Sequence, residues 1–159
     1  MNVLNIAQKM VLLSLTGLVM VFSSVIAESG STVAAAQDEM ENDTLVIVAR
    51  LVEIPGKFAP NDAYDYVYVM KYRVVKVEQG TLADREILVG QYNPLIPRKL
   101  INDKMKGVVK GNVEKFVVGE RHRLKLVTPI EDYWSGAVET EYYDTDLKTF
   151  FAVSTETVK

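Results

Sequence analysis

Tyr66-Val67-Tyr68-Val69-Met70-Lys71-Tyr72-Arg73-Val74-Val75-Lys76-Val77-Glu78 is the stretch that decides the fold of this chain. From Tyr66 to Val74 the even positions are large and mostly apolar, the period-2 pattern of a strand with one buried face. At Val75 and Val77 the apolar residues move to odd positions. A parity switch inside one long strand predicts a β-bulge near Val74-Val75. Bulged strands bend a sheet far enough to close it, so the stretch reads as the wall of a small barrel.

Its neighbours read the same way. Thr44 to Ile54 (TLVIVARLVEI) is apolar on both alternating faces, as in a strand covered on both sides, and stops at Pro55-Gly56. Glu86 to Tyr92 makes a third strand after the Gly80-Thr81 turn. Arg121 to Val127 alternates, turning His122, Leu124 and Leu126 inward and Arg121, Arg123 and Lys125 into an outer basic row. Thr149 to Ser154 is a short closing strand. Between these, Leu100, Ile101, Met105, Val108 and Val109 recur every three to four residues, which predicts a short amphipathic helix or an ordered loop packed on the barrel. The expected fold is mainly β: a five- to six-stranded antiparallel barrel with one short helix, a single domain over residues 44–159.

Residues 1–27 read as a signal peptide, with Lys9, an apolar run from Met10 to Ile26, and small residues at Val25-Ile26-Ala27 for cleavage. Ala34-Ala35-Ala36 offers a second cleavage point. Residues 28–43 are a flexible polar linker. The expectation is an extracytoplasmic protein of bacterial type, periplasmic or secreted, with no membrane span after cleavage. Anchoring by an uncleaved signal is the alternative.

The chain has no cysteine and one histidine. That excludes disulfides, a thiol nucleophile, a thiolate metal site and any histidine-rich metal site. No G-x-S-x-G, calcium loop or glycine-rich phosphate loop occurs, so neither a catalytic residue nor a cofactor is expected. Charge is segregated. Residues 28–95 hold 11 acidic and 6 basic residues, residues 96–127 hold 9 basic and 3 acidic, and the remainder is acidic again. Either an anion-binding face or neutralisation between neighbouring segments accounts for that.

The loop Gln91-Tyr92-Asn93-Pro94-Leu95-Ile96-Pro97-Arg98 is stiffened by two prolines and is expected to expose Tyr92, Asn93 and Arg98 for ligand recognition. Arg121 and Arg123 would be its electrostatic flank. Glu131 and Asp132, beside Tyr133 and Trp134, supply the alternative: a small hydrolase acting on envelope polysaccharide.

Val74-Val75-Lys76-Val77-Glu78-Gln79-Gly80, Ile87-Leu88-Val89, and Phe116-Val117-Val118-Gly119-Glu120 leading to Leu124-Lys125-Leu126 carry a resemblance over Thr44 to Val127. The pattern resembles OB-fold barrels of the netrin-like type, related to tissue inhibitors of metalloproteinases. The resemblance implies an OB-like barrel. The inhibitors' metal-binding cysteine has no counterpart here, so their mechanism does not transfer. OB barrels take oligomeric ligands on one face and its loops. The expected role is therefore a non-catalytic binding or assembly module of the bacterial cell envelope. Its partner would be an envelope protein or polysaccharide; export and the acidic net charge argue against nucleic acid.

Overall fold

A computed structural model describes Thr44–Lys159; the expected signal and linker, residues 1–43, lie outside the described residues. The strands are β1 (Leu45–Glu53), β2 (Tyr66–Gln79), β3 (Glu86–Tyr92), β4 (Lys110–Gly111), β5 (Arg121–Val127), β6 (Ala137–Glu139) and β7 (Thr149–Val158). Five of them close a barrel in the order β1-β5-β7-β3-β2, with β2 pairing back onto β1. Closure depends on the length of β2. Its first half pairs with β3 and the short β6, and its second half with β1.

The expected bulge is present. Val48 faces Lys76 and Ala49 faces Val74, so Val75 is the extra residue on β2. Its side chain is accordingly expelled and lies 53% exposed.

The barrel interior holds the even residues of β2, Tyr66 to Tyr72, with Ile47, Leu51, Ile87, Val89, Leu124, Leu126 and Phe150. A second cluster lies outside the wall. Val67, Tyr92 and Phe151, on the outer face of β2, β3 and β7, are covered by Ile101, Met105, Val109, Ile130 and Trp134 from the long connections. Gly90 stands in that outer face without a side chain for a steric reason. A Cβ there would meet Val67 Cγ1 at 2.5 Å and Ile130 Cδ1 at 3.2 Å.

One expectation is corrected and one open alternative is decided. The barrel is mixed rather than antiparallel, because β3 and β7 run parallel. The long segments between β3 and β5 and between β5 and β7 carry the chain back to the end needed for that pairing. The amphipathic stretch is an ordered loop with a single 3-10 turn at Arg98–Leu100, and no helix of seven or more residues occurs among the described residues. Asp103 accounts for this locally: its Oδ1 accepts the Met105 N–H at 2.8 Å, an Asx-type bond that competes with helix. The apolar spacing still works, since Ile101, Met105 and Val109 are buried and Leu100 is 67% exposed. The closing strand β7 also runs four residues past Ser154, with Thr155 turned inward and Glu156 out.

His122 faces the interior as its strand parity requires. Its Nδ1 lies 3.1 Å from the Tyr72 hydroxyl, and the Phe116 ring meets it edge-on at 5.7 Å. Burial pushes the imidazole below its ordinary value, and Glu120, 3.6 Å from Nε2, opposes this only in part. Folding therefore favours the neutral ring, and the unfolded chain takes up the proton first as pH falls through about 6.5. The contribution is whole above that pH and is lost below it. Urea unfolding of the parent should show stability falling from pH 7.5 to 5.5, with a shallower fall in His122→Gln. Equal slopes would contradict it.

Candidate ligand sites on the outer face of the barrel

The loop after β3 turns inward. Tyr92, Asn93 and Arg98, read from sequence as exposed, are at most 2% exposed. Asn93 has a left-handed backbone (φ 36°) that aims its side chain back at β2. Its Oδ1 accepts the Tyr66 N–H at 3.0 Å, and its Nδ2 donates to Asp65 Oδ1 at 2.8 Å. That hydrogen bond, helped by Lys104 3.2 Å away, holds the Asp65 carboxyl below its usual range. The Tyr92 hydroxyl donates to Asp103 at 2.8 Å, and burial together with that carboxylate pushes the phenol up.

Arg98 Nη2 donates to the carbonyls of Asn93 and Ile96 at 2.7 and 2.8 Å, and the guanidinium sits over the Phe116 ring at 5.3 Å. Burial lowers its pKa to about 10. All three side chains are engaged within the chain, though Arg98 Nε and Nη1 are buried without a hydrogen-bond partner. The prolines and polar residues that looked like a recognition loop build a rigid internal corner.

Trp134, the aromatic of the alternative reading, is also buried. Its indole N–H donates to the Ala137 carbonyl at 2.9 Å, and its ring meets Tyr92 at 5.0 Å. Gly136 permits this, because a Cβ there would lie 2.3 Å from the indole.

Glu131 is differently disposed. It lines a cleft of about 250 Å³ on the outer face of β2 and β3. Val69 and Leu88 lie beneath it, Thr128, Thr149 and Glu131 line it from the connections and β7, and Thr140 and Tyr142 from the segment after β6. The Thr128 hydroxyl donates to the Thr149 carbonyl at 3.4 Å, leaving its lone pairs free to accept. Thr140 Oγ1 accepts the Tyr142 N–H at 3.1 Å and keeps its own proton to donate. Burial, and then the Glu53 carboxylate, push the Tyr142 phenol up, so it stays protonated. Glu131 is the one carboxylate lining the cleft among the described residues. Asp132 is exposed beside it on the 3-10 turn Ile130–Asp132.

Arg121 and Arg123 lie away from the cleft, on β5, which pairs with β1. Both point outward as expected, but their surroundings differ. Arg123 is tied to Glu78 at 2.7 Å and to Glu156 at 3.9 Å, whereas Arg121 makes no ion pair among the described residues. The basic segment 96–127 does not form one face, since Arg98 is internal and Lys104 is bound to Asp65. Sequence reasoning missed the cleft because its lining is gathered from β2, β3, β6, β7 and the connections after β5 and β6. Only the outward parity of Val69 and Leu88 could have pointed to it. Among the described residues no three His, Cys, Asp or Glu side chains gather as metal ligands would, and no helix is long and apolar enough to cross a membrane.

Comparison with protein-family models, curated proteins and solved structures finds no match.

Asn93→Ala removes two hydrogen bonds from a buried corner and leaves the Tyr66 N–H unpaired, which should cost about 2 kcal/mol of unfolding free energy. Urea titration reads it. A loss under about 0.5 kcal/mol, the range of ordinary surface substitutions, would contradict the corner's role.

Proposed function

We propose that this chain is an exported, non-catalytic binding module of a bacterial-type cell envelope, and that its ligand is a polysaccharide held one sugar at a time in the β2–β3 cleft. Kinship with netrin-like modules belongs to the same proposal and concerns the barrel alone. The observation that carries the reading is the cleft's mixed lining: Val69, Leu88, Pro129, Ile130 and Val138 supply apolar surface, and Thr128, Thr140, Thr149, Tyr142 and Glu131 supply polar groups. A pyranose ring has the complementary chemistry, with C–H faces for the floor and hydroxyls that both donate and accept. The volume, about 250 Å³, is smaller than the usual range for drug-sized ligands and suits one ring rather than several. OB-like barrels commonly engage oligosaccharides across this same strand 2–3 surface, which supports the reading by analogy.

A two-carboxylate hydrolysis has less support, because Glu131 has no second acid facing it across the cleft among the residues that line it.

Calorimetric or NMR titration with N-acetylglucosamine, glucosamine and methyl glucoside tests the reading. One of them should bind in the low millimolar range, about −4 kcal/mol. Thr140→Val and Glu131→Gln should each weaken it about three- to tenfold, the worth of one hydrogen bond. No saturable binding of any of the three, or binding indifferent to both substitutions, would overturn it.

A further inference from the structure

On the outer wall of the barrel three arginines stand side by side. Arg50 of β1 lies directly opposite Arg73 of β2 on one flank and directly opposite Arg121 of β5 on the other. Residues directly opposite in antiparallel strands project from the same face, with Cα atoms about 5 Å apart. All three side chains are exposed. Like charges in this position oppose sheet formation, and the surrounding carboxylates relieve Arg73 but not Arg50 or Arg121. Glu86 is engaged by Arg73 at 2.9 Å, Glu53 by Lys71 at 3.1 Å, and Glu78 by Arg123 at 2.7 Å. Glu120 faces His122 at 3.6 Å. Arg50 and Arg121 make no ion pair among the described residues. Two of the three arginines come from the acidic half of the sequence, so charge blocks along the chain do not reveal the row.

We propose that the Arg73–Arg50–Arg121 row is a binding site for an anionic polysaccharide lying across β2, β1 and β5, its carboxylate or phosphate groups meeting one guanidinium per strand. Charge complementarity identifies the occupant. Arginine's planar fork takes carboxylate and phosphate oxygens two at a time. Three arginines whose Cα atoms stand about 5 Å apart offer a ladder of attachment points, comparable to the advance of one sugar residue along a chain. The outward strand positions flanking the row are Glu86, directly opposite Arg73, then Lys71, Lys76, Arg123 and a set of valines, and none of them is an aromatic side chain on which a nucleic-acid base would stack. The formal charge of the whole chain is −3, so attraction to a polyanion has to come from local geometry.

The site goes beyond the cleft reading and stands without it. Val69 in the cleft and Arg73 in the row are four residues apart on the outer face of β2, about 13 Å. One polymer could span both, yet each is tested by its own substitutions.

The test is binding of polygalacturonate, with uncharged dextran and single-stranded oligothymidylate as comparators, to the purified protein over a range of salt. Polygalacturonate should bind at low salt and weaken as salt rises, while dextran should not bind through the row. Arg50→Gln with Arg121→Gln should reduce affinity at least tenfold and lower the salt slope by about two. The same pair should leave the thermal midpoint unchanged or raised, since it removes like-charge neighbours. Lys99→Gln with Lys106→Gln removes equal charge elsewhere and should change affinity less than twofold. Thr140→Val, which reports on the cleft, should leave the salt slope intact. Absence of polygalacturonate binding at low salt, an equal loss in the lysine pair, or indifference to the arginine pair would overturn the proposal. So would oligothymidylate binding as tight as polygalacturonate, which would point to nucleic acid instead.

Discussion

Pairing of the second half of β2 with β1 is the interaction on which the rest of the molecule depends. Without it the sheet is an open ribbon with two long edges; with it the barrel has none. Closing the sheet requires β2 to coil between its β3-paired and its β1-paired portions, and the extra residue at Val75 supplies a bend there. The bend carries an exposed valine as its local cost. In return β2 presents an outer face that runs from the apolar floor of the cleft at Val69, past Lys71, to the arginine row at Arg73. Both proposed sites hang on that one strand.

The connections do a second structural job. A barrel of five strands has too little interior to bury Tyr92 and Phe151, which point out of the wall, so loops must cover them. Ile101, Met105, Val109, Ile130 and Trp134 provide the cover, and polar bonds from Asn93, Asp103 and Arg98 fix its position. Chain with no disulfides thereby gains a second apolar layer. Arg98 is held by carbonyl acceptors and an aromatic face rather than by a carboxylate. A group in that setting depends on the surrounding backbone staying in place.

The barrel was legible because strand periodicity is a local signal. The parity switch in β2 marked the bulge, and the alternation of β5 correctly turned His122 inward. Strand direction was not legible, since parallel pairing of β3 with β7 depends on where long connections end. Helix and ordered loop stay indistinguishable in the sequence after Pro97, because spacing at 101, 105 and 109 buries the same residues whether the backbone is helical or folded by an Asx bond. The recognition loop was misread for a related reason. Tyrosine, asparagine and arginine beside prolines suit an exposed site and an internal polar corner equally well, and only the positive φ of Asn93 turns them inward. The cleft and the arginine row are juxtapositions across strands and loops distant in sequence, and no local pattern carries them.

The account's central claim is that ligand is met on the outer face of β2 and its immediate neighbours. Backbone amide shift mapping of isotope-labelled protein with a short oligogalacturonide tests it most directly. The account predicts movement at Arg50, Arg73 and Arg121, extending toward Val69, Leu88 and Thr140 as the oligomer lengthens, with residues 95–100 unmoved. Shifts concentrated on the loop from Tyr92 to Arg98, with the β2 face silent, would contradict it.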